Sequence, residues 1–273
     1  MALALCFALY FGGKTVAPKK ETTHSATDGH DHASEKIVFS SLLTEAKAKI
    51  SPEQAAKLTI LENSVSRGNV KEQQIHVYHQ LARFWLDSIH LLEPYAYYTS
   101  EAAKLENSEK SLTFAARLFV DRLLLTENPA MQSWLAEQAK VLFENALKIN
   151  PANDSSRIGL GACYIFGNIS NNPMEGILPI KQIVEKDPSN IYGQMILALG
   201  GKKSGQYDKA IERFKIIVAQ ETNNIEAIFH IAECYDLKGD KANAIVFYEK
   251  AKQLVQIPQA KKELNDRIME LKK

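Results

Sequence analysis

Apolar and small residues recur along this chain at helical spacing, and in its C-terminal half they recur again at a longer period. Two 34-residue blocks, 191–224 and 225–258, carry the same kinds of residue at the same offsets. Leu197 and Ala198 hold the seventh and eighth places of the first block, where the second has Ile231 and Ala232. Gly205 and Gly239 share the fifteenth place, Ala210 and Ala244 the twentieth, Phe214 and Tyr248 the twenty-fourth, Ile217 and Ala251 the twenty-seventh. The apolar positions fall three and four apart on either side of the glycine, which predicts a helical hairpin in each block. A fixed period of this length marks a repeat architecture, since one hairpin cannot bury its apolar face alone and must stack on the next.

The pattern extends towards the N-terminus. Residues 154–190 carry Leu160, Gly161 and Tyr164, then Gly176, Ile180 and Ile183, and close at Asp187-Pro188, with extra residues at 168–173 between the two helices. In 109–153 the first stripe is Leu112, Ala115, Ala116 and Phe119, and the second is Ala139, Phe143 and Ala146, up to Pro151. Between them, Thr126 to Trp134 exceeds a short turn, and Met131 and Trp134 are expected to fold back over a neighbour rather than to form a recognition loop. Residues 75–108 place Tyr78, Leu81, Ala82 and Trp85 on one helix and Pro94, Ala96, Ser100, Ala103 and Leu105 on the next. Ahead of these, 37–74 predicts two capping helices. Val38, Leu42, Leu43 and Ala46 share a face of the first. The second opens at Ser51-Pro52-Glu53-Gln54, with Ser as cap, Pro at the first helical position and Gln closing a capping box. After Pro258, residues 259–273 predict an amphipathic capping helix with Leu264, Ile268 and Leu271 inward.

The blocks resemble the tetratricopeptide repeat, whose pattern wants a large residue, Leu-Gly or Leu-Ala, an aromatic, then Ala, Phe or Tyr, Ala and Pro. The resemblance covers 75–258, in hairpins 75–108, 109–153, 154–190, 191–224 and 225–258, and is strongest over 136–258. It implies an all-α fold, a right-handed α-solenoid of about five such hairpins with capping helices at both ends. It implies a non-catalytic scaffold that binds a protein or peptide partner in the concave groove lined by the first helix of each hairpin. By resemblance, the second, fifth, ninth, twelfth and thirteenth places face that groove. The groove residues expected on this basis are Ile158, Phe166, Tyr192, Met195, Leu199, Lys202, Phe229, Glu233 and Asp236. Chaperone-binding members grip terminal carboxylates with Lys and Asn at the fifth and ninth places. Here those places hold Ile158/Ala162, Met195/Leu199 and Phe229/Glu233, so a carboxylate clamp is not expected. An apolar stripe rimmed by charge takes its place. It reads either as a groove for an apolar or amphipathic partner segment or as internal core, and the residues leave both readings open.

Charge changes the picture only by exclusion. Lys plus Arg total 33 against 32 Asp plus Glu, so no basic stripe points to nucleic acid. Cys6, Cys163 and Cys234 are too few for a disulfide framework, and the last two fall at equivalent, core-facing places. Gly200-Gly201-Lys202-Lys203-Ser204-Gly205 lacks the spacing of a phosphate loop, and neither Gly-x-Ser-x-Gly nor His-Glu-x-x-His occurs. His76 and His79 share a helix face, and His24, His30 and His32 lie in a polar stretch. Neither set has the ligands of a recognisable metal site, so no metal, cofactor or catalytic role is expected; an enzyme or metal-binding protein using the linker histidines is the lesser alternative.

The N-terminus suggests a location. Residues 1–14 form an apolar segment, read as a membrane anchor or signal remnant, and 15–36 a polar linker with too little apolar surface to fold. The expectation is a membrane-associated protein with a single N-terminal anchor, its side of the membrane open; the alternative is a periplasmic or secreted assembly factor with a cleaved signal.

Overall fold

The computed structural model describes residues 37–67 and 70–273. They form thirteen α-helices and one π-helical turn, with no strand among the described residues. They divide into two compact units, 37–182 and 183–273.

In the first unit, Phe39–Lys47 (α1) and Pro52–Arg67 (α2) precede Lys71–Arg83 (α3), which runs into the π-helical turn Phe84–Ile89 and is followed by Leu92–Glu106 (α4). Then come Glu109–Leu123 (α5), Pro129–Ile149 (α6) and Asp154–Phe166 (α7), while Met174–Lys186 (α8) is divided between the units. Helices α3 and α4 pack as a hairpin, α5 packs on α6, and α7 packs on both. The start of α2 shows why the chain turns where it does. Ser51 Oγ accepts from Gln54 N at 3.2 Å, and Ser51 N donates to Gln54 Oε1 at 2.9 Å, so two otherwise orphaned donors are satisfied reciprocally.

Two details depart from the sequence pattern. Val38 is the N-cap of α1 and 49 % exposed; Phe39 turns inward in its place. The long connection at 126–134 is shortened by helix. Asn128 caps α6 by accepting from Met131 N at 3.1 Å, Pro129 supplies the first helical φ, and the helix gains an extra turn. Trp134 is therefore a buried helical residue, set edge-on to Phe119 with ring centroids 5.9 Å apart. The core of this hairpin is the predicted stripe, with Leu112, Ala115, Ala116 and Phe119 closing on Ala139, Phe143 and Ala146. Where α7 meets α8, two glycines allow backbone contact. A Cβ on Gly161 would lie 2.7 Å from the Gly176 carbonyl oxygen, and one on Gly176 would collide with Gly161 in return.

The second unit consists of Ile191–Lys203 (α9), Tyr207–Gln220 (α10), Ile225–Leu237 (α11), Lys241–Leu254 (α12) and Pro258–Leu271 (α13), each packed on the next. The turns after α9 and α11 pass through Gly205 at φ 75° and Gly239 at φ 80°, a left-handed backbone that side chains resist. Phe214 and Ile217 are fully buried between α10 and its neighbours, each contributing about 2–3 kcal/mol by leaving water. Leu264, Ile268 and Leu271 of α13 close the end of this core over Tyr248 and Ala251, so the last apolar face is not left to solvent.

The expected membrane-associated location does not stand. No helix among the described residues is long and apolar enough to cross a membrane. The segment 1–14, on which the expectation rested, and the linker 15–36 with its three histidines lie outside the described residues.

Candidate interaction surface

Helices α9 and α11 begin in the same way, which sets their faces in the same register. Asn190 Oδ1 accepts from Gly193 N and Asn224 Oδ1 accepts from Ala227 N, both at 2.9 Å. From that common start α9 turns Gln194, Ile196, Leu197 and Ala198 fully inward, and α11 does the same with Ile228, Ile231, Ala232 and Cys234.

Tyr192, Met195 and Leu199 fall three and four apart on the flank of α9 and are half-buried. Met195 and Leu199 pack with their inner edges against the cluster of Ala198, Phe214, Ala227 and Ile231. Phe229 on α11 is 6 % exposed and belongs to the core, with Tyr248 5.8 Å from its ring centre. In the first unit, Ile158 on α7 is fully buried and Phe166 is 7 % exposed. Of the apolar residues expected in a groove, Tyr192, Met195 and Leu199 thus keep accessible surface, whereas Ile158, Phe166 and Phe229 chiefly fill the interior.

The charged members of the set are engaged with one another or with neighbours. Lys202 Nζ donates to Glu233 Oε2, and His230 Nδ1 lies 2.6 Å from the same oxygen and 3.2 Å from Lys202 Nζ. The three side chains are 17 %, 13 % and 11 % exposed for Lys202, Glu233 and His230. Burial alone would raise the Glu233 carboxyl, but the hydrogen bond from His230 and the charges of His230 and Lys202 outweigh it and hold the group at about 2. A carboxylate so strongly held is a poor proton acceptor at neutral pH, which suits an ion pair better than a general base.

Asp236, one turn further along α11, takes a two-pronged contact from α13. Arg267 Nε and Nη2 donate to its two carboxylate oxygens at 2.8 Å each, and the Tyr248 hydroxyl donates to Oδ2 at 3.2 Å. Arg267 also reaches Glu270 at 2.9 Å. Hydrogen bonding to Asp236 pushes the Arg267 guanidinium further up, and burial, with the Glu233 and Asp236 charges, pushes the Tyr248 hydroxyl up. Both pairs thereby persist across the physiological range.

The sequence pattern did not single out His230, Tyr248 or Arg267 as neighbours of the set. His230 stands three residues before Glu233, a spacing that juxtaposes side chains on a helix. Lys202 meets Glu233 because the twelfth place of one block faces the ninth of the next, a relation visible only once the blocks are stacked. Arg267 lies outside the repeat and left no periodic signal. Elsewhere, His79 pairs with Glu106 at 2.8 Å rather than with His76, and no group of three His, Cys, Asp or Glu suited to a metal occurs among the described residues. Cys163 and Cys234 are fully buried and not disulfide-bonded.

No family model matches this chain. The human antiviral innate immune response effector IFIT1 is 28 % identical over 122 residues, a stretch that makes up 43 % of this chain and 26 % of that protein. The chain therefore spans about a quarter of the curated relative it matches. Among solved structures, a tetratricopeptide repeat protein from Parabacteroides merdae superposes with a TM-score of 0.55 at 15 % identity, covering 86 % of each chain. TTC0263, a thermophilic TPR protein of Thermus thermophilus, gives 0.53 at 16 % identity, covering 74 % of this chain and 98 % of its own. These likenesses show the fold, which is that of the tetratricopeptide repeat proteins.

Proposed function

We propose that this chain, with its tetratricopeptide-repeat fold, is a protein-interaction scaffold whose partner lies along the flank of α9 beside α11. The observation that carries the reading is the row Tyr192, Met195 and Leu199. It keeps apolar surface accessible at one-turn spacing, where a soluble helix would ordinarily be polar. The charges bordering it are already neutralised by Lys202–Glu233 and Asp236–Arg267. Such a surface suits an apolar or amphipathic helical segment, anchored at three or four positions along one face. It suits a terminal carboxylate poorly, since Lys202 is already held by a carboxylate of its own chain.

Met195→Glu tests this reading. The side chain is half-buried and at the edge of the core, so the variant is expected to keep its helicity by circular dichroism. Proteins captured from an extract of the native cells by the wild type should be lost by the variant, and the loss should reproduce with the purified partner. Capture unchanged by Met195→Glu, in a folded variant, would remove the site from α9.

A further inference from the structure

The first of the described helices, α1, sits on its neighbours as a bound peptide would. Phe39, Leu42, Leu43 and Ala46 lie at i, i+3, i+4 and i+7, the anchor spacing of a helix in a groove. The Phe39 ring lies flat on Tyr97, with centroids 3.4 Å apart and planes at 9°, and meets Tyr98 edge-on at 5.8 Å. Tyr98 in turn stands 5.6 Å from Tyr97 and 6.4 Å from Tyr78, so three tyrosines of the α3–α4 hairpin wall an aromatic trough. At the far end, Lys47 Nζ pairs with Glu62 Oε2 at 2.8 Å, and the other Glu62 oxygen accepts from the Tyr98 hydroxyl at 3.3 Å.

Little besides this seat holds α1 as a helix. It has nine residues, too few to be stable alone in water. Its N-cap, Val38, supplies no side-chain acceptor, and Ala46 is its one buried residue. Thr44 further spends its hydroxyl on the Ser40 carbonyl, 2.8 Å away, a bond that favours no particular partner. The trough rests on the buried residues Leu81, Ala82, Phe84 and Trp85, a cluster that Ala46 of α1 completes.

We propose that the Tyr78–Tyr97–Tyr98 trough is a helix-docking site which α1 fills in cis. The partner it fits is an amphipathic helix with an aromatic residue, aliphatic residues three and four positions on, a small residue seven on and a lysine eight on. The aromatic takes the Tyr97 face and the lysine takes Glu62. Because α1 is tethered by a short turn, it competes at an effective concentration on the order of millimolar. A partner helix therefore binds weakly until α1 is loosened.

The probe is a fluorescein-labelled peptide of residues 37–50, titrated by anisotropy into the full chain. Binding to the Phe39→Asp protein should be at least tenfold tighter than to the wild type, and adding Tyr97→Ala should abolish it. A labelled peptide itself carrying Phe39→Asp should not bind. Equal affinity for the wild type and Phe39→Asp, or no binding to either with helicity intact, would overturn the proposal. So would a wild-type dimer in light scattering that Phe39→Asp dissolves, because a second copy would then be the occupant. Should Phe39→Asp not fold, hydrogen exchange on the wild type decides the matter. Saturating peptide should deprotect the amides of α1 and leave α3 and α4 protected, and unchanged α1 protection would refute it.

Discussion

Lys202 and Glu233, on α9 and α11, form an ion pair that is four-fifths or more removed from solvent and shares one carboxylate oxygen with His230. The pair joins two helices whose outer flank carries the proposed partner surface. Its chemistry sets how that flank responds to acid and to mutation.

Glu233 contributes stability only while it is ionised. Its carboxyl falls from 4.5 to about 2 on folding, because His230 and Lys202 outweigh the cost of burial. A folded value below the unfolded one means the contribution is full above about 4.5 and is lost as the pH falls towards 2. At pH 7 Glu233→Gln should cost on the order of 3 kcal/mol by urea unfolding. The gap between the variant and the wild type should narrow between those two pH values and close below them.

Replacing both partners should be milder than replacing one. A Lys202→Met/Glu233→Leu double variant removes both charges of the ion pair together. Its stability should lie within about 1 kcal/mol of the wild type, whereas either single change should cost about 2–4 kcal/mol. A double variant as damaged as the single ones would show that packing, not charge, is at stake there.

Arg267 fastens the C-terminal helix to α11 through Asp236. Arg267→Ala should lower stability by about 1–3 kcal/mol, and Arg267→Lys should recover only part, because an ammonium cannot make the two-pronged contact. Hydrogen exchange should localise the loss, with amides of α13 exchanging faster and those of α9 unchanged.

Gly161 has no room for a methyl group. The Cβ of Gly161→Ala would lie 2.7 Å from both the Gly176 carbonyl oxygen and Ile180 Cδ1. Backbone yields less readily than a side-chain end, so the variant should lose about 1–3 kcal/mol in urea unfolding.

The two buried thiols should be inert until the chain unfolds. Burial pushes Cys163 up to about 12 and Cys234 up to about 11, so little thiolate is present at pH 8. In a Cys6→Ser background, labelling by a disulfide reagent should be at least a hundredfold slower in buffer than in denaturant.

Much of this fold was legible because the repeat writes its packing into a period. Ala198, Ala210, Ala232 and Ala244 announce where helices close on one another, and each is fully buried. Legibility fails where local chemistry or the stacking of blocks decides. Phe39 rather than Val38 faces inward because Val38 is spent as the N-cap. Trp134 packs inward as expected, but as part of α6 rather than of a connection, because Asn128 and Pro129 start that helix early. The π-helical turn at Phe84–Ile89, ending at His90 with φ 60°, has no sequence signal that periodicity detects. The partner surface was harder still. Register alone assigns Phe229 and Met195 to one face, yet Phe229 is 6 % exposed while Met195 is half-buried. Lys202 and Glu233 lie 31 residues apart and meet only through the stacking of blocks.

The most direct test of the scaffold reading is a titration of a purified captured partner against wild type and Met195→Glu, with both proteins shown equally helical. The account predicts at least a tenfold loss of affinity in the variant, with Glu249→Gln, at a half-buried position on α12 outside the row, leaving affinity unchanged. Equal affinity for wild type and Met195→Glu would contradict it.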